Sequence, residues 1–336
     1  MTQTSREIHL VDRPVGVPTL DALRLVETEI PEPGDGEILV RNHWMSVDPA
    51  MRGRMDDRPS YVEPFRVGEA LEGGAVGEVI ASKSDRHAVG DLVLHGLGWR
   101  DLALLPGKRA APIDASLAPE QAFLGILGMP GLTAYAGLIR LAQIKPGDVV
   151  FVSAAAGAVG SAVGQMARQL GASRVIGSAG GPQKVAHVLD AFGFDAVIDY
   201  KAGSVRKQLK QAAPDGIDVY FDNVGGEHLE VAIGALRLHG RIVICGMISQ
   251  YNATEPPAGP RNLVRLIQTR GSIHGLLVLD HGDLRDEFLR EVGGWIRDGS
   301  LAYDETVVDG LENAPQAFLD LLAGKNTGKM LVRIDG

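Results

Sequence analysis

Two kinds of hydrophobic pattern divide this chain. Before Ala122, short apolar runs alternate with turn signals. Glu37–Asn42, Gly74–Ala81 and Val89–Leu94 read as strands, set apart by turns such as Pro31-Glu32-Pro33-Gly34-Asp35-Gly36. Strands this short and this evenly spaced predict a small barrel-like β domain. From Ala122 the period changes. A helical pattern covers Leu132–Leu141, and Lys145-Pro146-Gly147-Asp148 turns the chain into an apolar run. Strands are then predicted at Val149–Ser153, Arg174–Ser178, Ala196–Asp199, Val219–Asn223, Arg241–Gly246 and Ser272–Leu279. Helices are predicted between them at Ser161–Leu170, Gln183–Phe192, Ser204–Ala212 and Glu227–Leu236. Regular alternation of this kind predicts an α/β class with a doubly wound parallel sheet. The tail reads as a helix, Leu311–Ala323, and a last strand, Met330–Ile334, that returns to the first domain. The expected organisation is a discontinuous β-rich domain, residues 1–125 with 305–336, around an α/β domain of residues 126–304.

The most informative stretch is Val149 to Gly160. An apolar strand ends abruptly in Ser153-Ala154-Ala155-Ala156-Gly157-Ala158-Val159-Gly160, and a helix follows. Strand, Gly-rich turn and helix in that order make a glycine pattern a dinucleotide-binding signal. Ala155 stands in the first glycine slot. Gly157 lets backbone amides approach a pyrophosphate, with Ala158 and Val159 between it and Gly160. Gly160 lets the helix pack on the strand. The helix N-terminus then offers unpaired N–H groups and partial positive charge to the anion.

The end of the next strand chooses between cofactors. A unit built for NAD places Asp or Glu there for the ribose 2′-hydroxyl. Here the chain reads Ser178-Ala179-Gly180-Gly181-Pro182-Gln183-Lys184, with a cation and no acid. A carboxylate repels a 2′-phosphate and Lys184 attracts it, so NADP(H) is expected.

Charge and composition narrow the partners. A net charge of −9 argues against nucleic acid or an anionic membrane surface. The absence of a run of 18 apolar residues argues against a membrane-spanning helix. Met1–Asp12 is polar and charged with no apolar leader, so a cytoplasmic location is expected. Cys245 is the only cysteine, which excludes an internal disulfide and a cysteine-built zinc site. It reads as a buried strand end. The nine histidines form no His-Glu-x-x-His motif, no Gly-x-Ser-x-Gly elbow is present, and no metal is expected.

Several further motifs accompany the Gly-rich turn. They are Met45-Ser46-Val47-Asp48-Pro49-Ala50-Met51-Arg52-Gly53-Arg54-Met55, Gly131-Leu132-Thr133-Ala134-Tyr135, Phe221-Asp222-Asn223-Val224-Gly225-Gly226, Cys245-Gly246-Met247-Ile248-Ser249-Gln250-Tyr251-Asn252 and Asn326-Thr327-Gly328-Lys329. Spread in this order over nearly the whole chain, they resemble the zinc-independent medium-chain dehydrogenase/reductases. The resemblance is strongest to the leukotriene B4 12-hydroxydehydrogenase/prostaglandin reductase and alkenal double-bond reductase family. It implies a GroES-like β-rich catalytic domain and a Rossmann domain. Zinc-dependent members of the superfamily carry a Gly-His-Glu motif and clustered cysteines. The matching stretch here is Val67-Gly68-Glu69-Ala70, without histidine. The resemblance therefore implies NADPH-dependent reduction of the C=C bond of α,β-unsaturated ketones and aldehydes, without a metal.

It also implies roles for matching residues. Lys184 and Tyr200, near Ser178, sit where the family holds the 2′-phosphate. Asn223 follows the fourth strand at a cofactor-contacting position. Cys245, Gly246, Ile248 and Ser249 belong to the loop beside the nicotinamide ribose and ring. Leu276, Leu277 and Val278 fall in the stretch that approaches the nicotinamide amide through backbone. Asn326 resembles the late Asn that closes over the cofactor. Tyr251 is the expected catalytic residue, because hydride addition to the β-carbon builds charge on the carbonyl oxygen and a phenol O–H stabilises the enolate. Ala50, Arg52 and Met129 join Tyr251 in the expected substrate pocket. Ala50 departs from the Tyr that relatives often carry after Asp-Pro.

Two other readings stay open. One is an NADPH:quinone oxidoreductase of the same superfamily. The other is a non-catalytic NADPH-binding sensor or structural protein. A homodimer is expected, with Ser272–Leu279 as an edge strand pairing across a two-fold axis.

Overall fold

The polar N-terminus is a strand. Gln3–Leu10 (β1) pairs antiparallel with Leu23–Ile30 (β2), Gln3 opposite Ile30 and Leu10 opposite Leu23, in the computed structural model, which describes residues 3–334. Hydrophobic periodicity hides β1 because its buried positions include Ser5 and Glu7. Both are satisfied locally: Ser5 Oγ accepts from Leu102 N–H at 3.0 Å, and Glu7 accepts from the Thr28 hydroxyl at 3.3 Å.

The chain divides into two compact units, Met1–Gly125 with Glu305–Gly336, and Ile126–Asp304. The first unit continues with β3 (Glu37–Ser46), the short helix α1 (Met51–Arg54), β4 (Ala75–Ser82), β5 (Leu92–His95), β6 (Leu102–Pro106) and β7 (Ala111–Pro112). The expected strand Val89–Leu94 starts three residues later. Val89 is exposed, Gly90 takes φ 95°, and the Asp91 carboxylate accepts from Ala88 N–H, so this stretch is the turn that feeds β5.

The second unit opens with α2 (Met129–Ala136). The expected helix Leu132–Leu141 changes type after Ala136, and Gly137–Ala142 is π-helical. Gly137 lies against the ring of Phe221, 2.5 Å from where a Cβ would stand, so the helix meets the sheet at a residue without a side chain. The sheet strands are β8 (Val149–Val152), β9 (Arg174–Ala179), β10 (Ala196–Asp199), β11 (Ile217–Asp222), β12 (Leu236–Ile244) and β13 (Ser272–Gly275). Their helices are α3 (Ala158–Gln169), α4 (Pro182–Phe192), α5 (Val205–Ala212), α6 (Gly226–Ala235), α7 (Val264–Thr269) and α8 (Arg285–Arg297). All pairings are parallel, in the order β10-β9-β8-β11-β12-β13. This is the doubly wound dinucleotide-binding order, which reverses between β8 and β11. The strands are apolar runs because helices cover both faces.

Ser272–Leu279 is shorter than expected. β12 ends at Ile244, opposite Gly275, and Leu276 N–H makes the last bond to Ile244. With no partner beyond, the chain leaves the sheet and becomes 3₁₀-helical at Val278–Leu284.

The tail belongs to the first unit. β14 (Glu305–Asp309) lies parallel to β15 (Lys329–Arg333), with α9 (Ala314–Leu322) between them, and β15 pairs antiparallel with β3, Leu331 opposite Ser46. α9 brings Phe318 edge-on to Trp99, ring centroids 6.2 Å apart, in the core of that unit. No helix among the described residues is long and apolar enough to cross a membrane.

Close packing of α3 on the sheet depends on two glycines flanking one ring. A Cβ at Gly164 would stand 1.9 Å from the Phe194 ring, and one at Gly177 of β9 would stand 3.0 Å from it. Overfilling a packed core costs about 1–3 kcal/mol. Gly164→Ala should lower unfolding free energy by about that amount in urea titration without changing the slope.

Candidate active site at the carboxyl ends of the parallel strands

A parallel sheet sends every strand's carboxyl end to the same edge. The end of each strand here carries residues that the sequence singled out. β8 leads to the Gly157 turn, β9 ends at Ser178–Ala179, β10 at Asp199 beside Tyr200, β11 at Asp222 beside Asn223, β12 at Ile244 before Cys245, and β13 at Gly275 before Leu276.

The β8–α3 turn is shaped for an anion. Ala154 sits at φ 51°, a left-handed conformation that L-residues rarely adopt, and its carbonyl accepts Gly157 N–H at 2.9 Å. A Cβ at Gly160 would meet that same carbonyl oxygen at 2.2 Å, so only glycine lets the helix start this close to the turn. α3 has no side-chain cap and no acid in its first turn. The N–H groups of Ala158, Val159 and Gly160 are therefore directed past the turn with the helix dipole behind them.

A second cluster of sequence-predicted residues lies where β9 and β10 end. Lys184 is half-buried on the first turn of α4. Burial, and next the charge of Lys201, lower its pKa. Tyr200 is 44% exposed, and its hydroxyl lies 2.6 Å from where a Cβ on Gly180 would be. Asp199 Oδ1 accepts the N–H groups of Gly181 and Lys201, each at 2.9 Å. Those amides hold the carboxyl below its usual range, Gly181 most strongly, and the same bonds clip the two sides of the pocket together. Ser178 is fully buried, its Oγ 2.8 Å from His228 Nε2, and Tyr200 packs edge-on to His228. Burial lowers the His228 pKa to about 4, so the imidazole is neutral at ordinary pH. Lys201, His228 and Asp199 were missed in the sequence. The Tyr200-Lys201 dipeptide carried a signal for the first, whereas the other two are legible only through strand register.

The third cluster spans the switch point. Asn223 bridges β11 to β8: its N–H donates to Ser153 Oγ at 2.9 Å and its Nδ2 to the Ser153 carbonyl at 2.8 Å. The loop after β12 is laced to the same turn. Ile248 N–H donates to the Asn223 carbonyl at 3.3 Å, and Ser249 Oγ donates to the Val224 carbonyl at 2.6 Å. Tyr251 follows a single 3₁₀ turn, Ile248–Gln250, and is half-buried. Its Oη accepts Met247 N–H at 3.3 Å and lies 3.0 Å from where a Cβ on Gly246 would stand. Cys245 is half-buried just beyond β12. Burial, reinforced by the charge of Asp222, pushes its thiol up to about 12, so it is no nucleophile. Leu276 N–H bonds to Ile244, which carries Leu276, Leu277 and Val278 past the same strand ends. Met129 opens α2 and is 47% exposed.

In the other unit, Ala50 is exposed at the start of α1. Arg52, expected near the substrate, is buried. It is 2% exposed, and its guanidinium donates to the carbonyls of Pro14 and Gly16 and to Asp56 at 2.8 Å. These bonds tie α1 to the Pro14–Gly16 loop, which is a structural role. Asn326 is buried, its Nδ2 donating to the Gly328 carbonyl at 2.9 Å within the turn before β15. Among the described residues, no group of three His, Cys, Asp or Glu side chains is placed to hold a metal ion.

The three clusters fit a dinucleotide phosphate. A glycine cradle at a helix N-terminus suits the pyrophosphate, and Lys184, with Asp199 Oδ1 already bonded to backbone amides, suits a 2′-phosphate.

The chain matches the family described as "N-terminal domain of oxidoreductase" over residues 6–113 and that described as "Zinc-binding dehydrogenase" over residues 158–292. The NADPH-dependent curcumin reductase of Escherichia coli (strain K12) is 41% identical over 339 residues, 99% of this chain and 98% of that protein. The NADP(+)-dependent 2-alkenal reductase of Nicotiana tabacum is 42% identical over 312 residues, 92% of this chain and 90% of that protein. The crystal structure of CurA in complex with NADPH from Vibrio vulnificus is similar with a TM-score of 0.94 at 43% identity, covering 98% of this chain and 99% of that one. With relatives of this identity along its whole length, a GroES-like β-rich unit and a Rossmann unit, the chain belongs to the zinc-independent medium-chain dehydrogenase/reductases, among their NADP-dependent oxidoreductases.

Proposed function

We propose that this chain uses NADPH to reduce the C=C bond of α,β-unsaturated aldehydes and ketones. The observation that supports this best is the sharing of one sheet edge by a pyrophosphate cradle, a lysine pair whose neighbouring acid is already bonded, and a tyrosine hydroxyl on the β12 loop. NADPH, when bound, supplies a hydride. The remaining work falls to the protein.

The Gly157–Gly160 turn and the start of α3 bind the pyrophosphate. Lys184, with Tyr200 and Lys201, takes the 2′-phosphate. Asn223, Cys245, Gly246, Ile248 and Ser249, with the backbone of residues 276–278, hold the nicotinamide half. Hydride arriving at the β-carbon of an enone moves negative charge to the carbonyl oxygen. Tyr251 donates its hydroxyl proton in a hydrogen bond to that oxygen and stabilises the enolate. The amide of Met247, bonded to Tyr251 Oη, fixes the ring and polarises the O–H. The α-carbon then takes a proton from solvent.

We also infer a homodimer formed along β13. Among the described strands it is the last of the parallel sheet, its outer edge pairs with no other, and Ile273 on it is exposed.

Three outcomes are expected. Lys184→Ala should weaken NADPH binding by roughly 10- to 100-fold and leave NADH binding unchanged in parallel titrations, the loss of a charged hydrogen bond. Tyr251→Phe should lower kcat/KM for a 2-alkenal by about a hundredfold, with NADPH affinity retained. Full activity in this variant would remove Tyr251 from the chemistry, and turnover of quinones alone by the parent would redirect the whole reading. Light scattering at micromolar concentration should give twice the chain mass, and a Pro introduced at Ile273 should give the single mass.

A further inference from the structure

The end of β11 holds a carboxylate that the proposed chemistry does not use. Asp222 is 0% exposed. Its Oδ1 accepts from the Tyr220 hydroxyl at 2.7 Å, Gly225 N–H at 2.8 Å, Val224 N–H at 2.9 Å and Ser153 Oγ at 3.3 Å. Its backbone carbonyl accepts the N–H groups of Cys245 at 2.8 Å and Gly246 at 3.0 Å. One residue thereby ties the end of β8, the turn into α6 and the loop after β12 to a single point. Those are the segments that carry Asn223 and Tyr251.

The cost of this arrangement is visible. Oδ2 is buried without a hydrogen-bond partner, and burial raises the carboxyl's pKa against the pull of the amides. Leaving a buried charge half satisfied is expensive, and an uncharged side chain would avoid that cost. What the charge adds is strength at the turn, since bonds to an ionised acceptor are roughly twice as strong as neutral ones. The turn needs it. Gly225 and Gly226 both hold positive φ, 73° and 55°, and Met247 from the neighbouring loop packs within 2.9 Å of where a Gly225 Cβ would lie.

We propose that Asp222 is a positioning residue for the nicotinamide half of the cofactor, holding the Asn223 turn and the Cys245–Tyr251 loop in fixed register. The proposal rests on the reading above, in which those loops face the nicotinamide. It distinguishes the two halves of the dinucleotide. The Asp222 side chain makes four bonds around the β11 end and reaches the Gly157 turn only at its first residue, Ser153, by the longest of them, while Lys184 lies on α4, beyond β9.

The test uses calorimetric titration with two probes, NADPH and adenosine 2′,5′-bisphosphate, which lacks the nicotinamide half. Asp222→Asn keeps the shape and removes the charge. The NADPH Kd should rise about tenfold, as expected for weakening of charged hydrogen bonds, while the bisphosphate Kd stays at the parent value. Tyr220→Phe keeps the ring stacked on Phe151, centroids 5.0 Å apart, and should shift NADPH in the same direction by less. It carries the same comparison should Asp222→Asn not fold. Unchanged NADPH binding in the folded variants overturns the proposal. So does equal weakening of both probes, which marks a role in stability alone. A parent protein that binds NADPH no more tightly than the bisphosphate overturns the functional reading first, since the loops then contact no nicotinamide.

Discussion

Everything proposed for this molecule depends on one constraint, that six hydrogen-bonded strands run in the same direction. Parallel pairing forces each strand to be followed by a crossover, and the helices fill both faces of the sheet. The start of every crossover therefore lies on the same edge. No single loop of this chain is a site. Six of them begin side by side, and the reversal of strand order between β8 and β11 opens a gap at that edge. The Gly157 turn and Asn223 stand on either side of the gap, joined through Ser153.

Polar groups buried beneath this edge do the fitting. Buried Ser178, Asp222 and His228, and the less buried Asp199, face inward or toward backbone amides, and each fixes a neighbour. His228 orients Tyr200, Asp199 clips Gly181 to Lys201, and Asp222 gathers the loops around Asn223. Such groups are costly when half satisfied and rigid when satisfied. The site is thus largely preformed by the second row of residues.

That division explains what could be read from the chain alone. The apolar runs of β8, β9 and β11 are continuous because they are buried on both faces, so strand positions and the residues just after them were legible. The Gly157–Gly160 spacing carries its own chemistry. The second row was not legible, because Asp222, His228 and Lys201 acquire meaning only when register brings Ser153, Ser178 or Lys184 alongside. Arg52 is the opposite case. It lies in a motif near Ala50, yet its charge is absorbed by the carbonyls of Pro14 and Gly16, a contact that no local pattern announces. β1 escaped notice because Ser5 and Glu7 occupy positions where a strand usually shows apolar side chains.

The single cysteine has a meaning beyond the exclusion of metals and disulfides. α,β-Unsaturated carbonyls are electrophiles, and it is the thiolate form of cysteine that acts as a nucleophile. A protein handling them in quantity exposes its own thiols to alkylation. Here the one thiol stands just beyond β12, where burial and the charge of Asp222 push its pKa up to about 12. A thiol held so far from ionisation presents little thiolate to an electrophile.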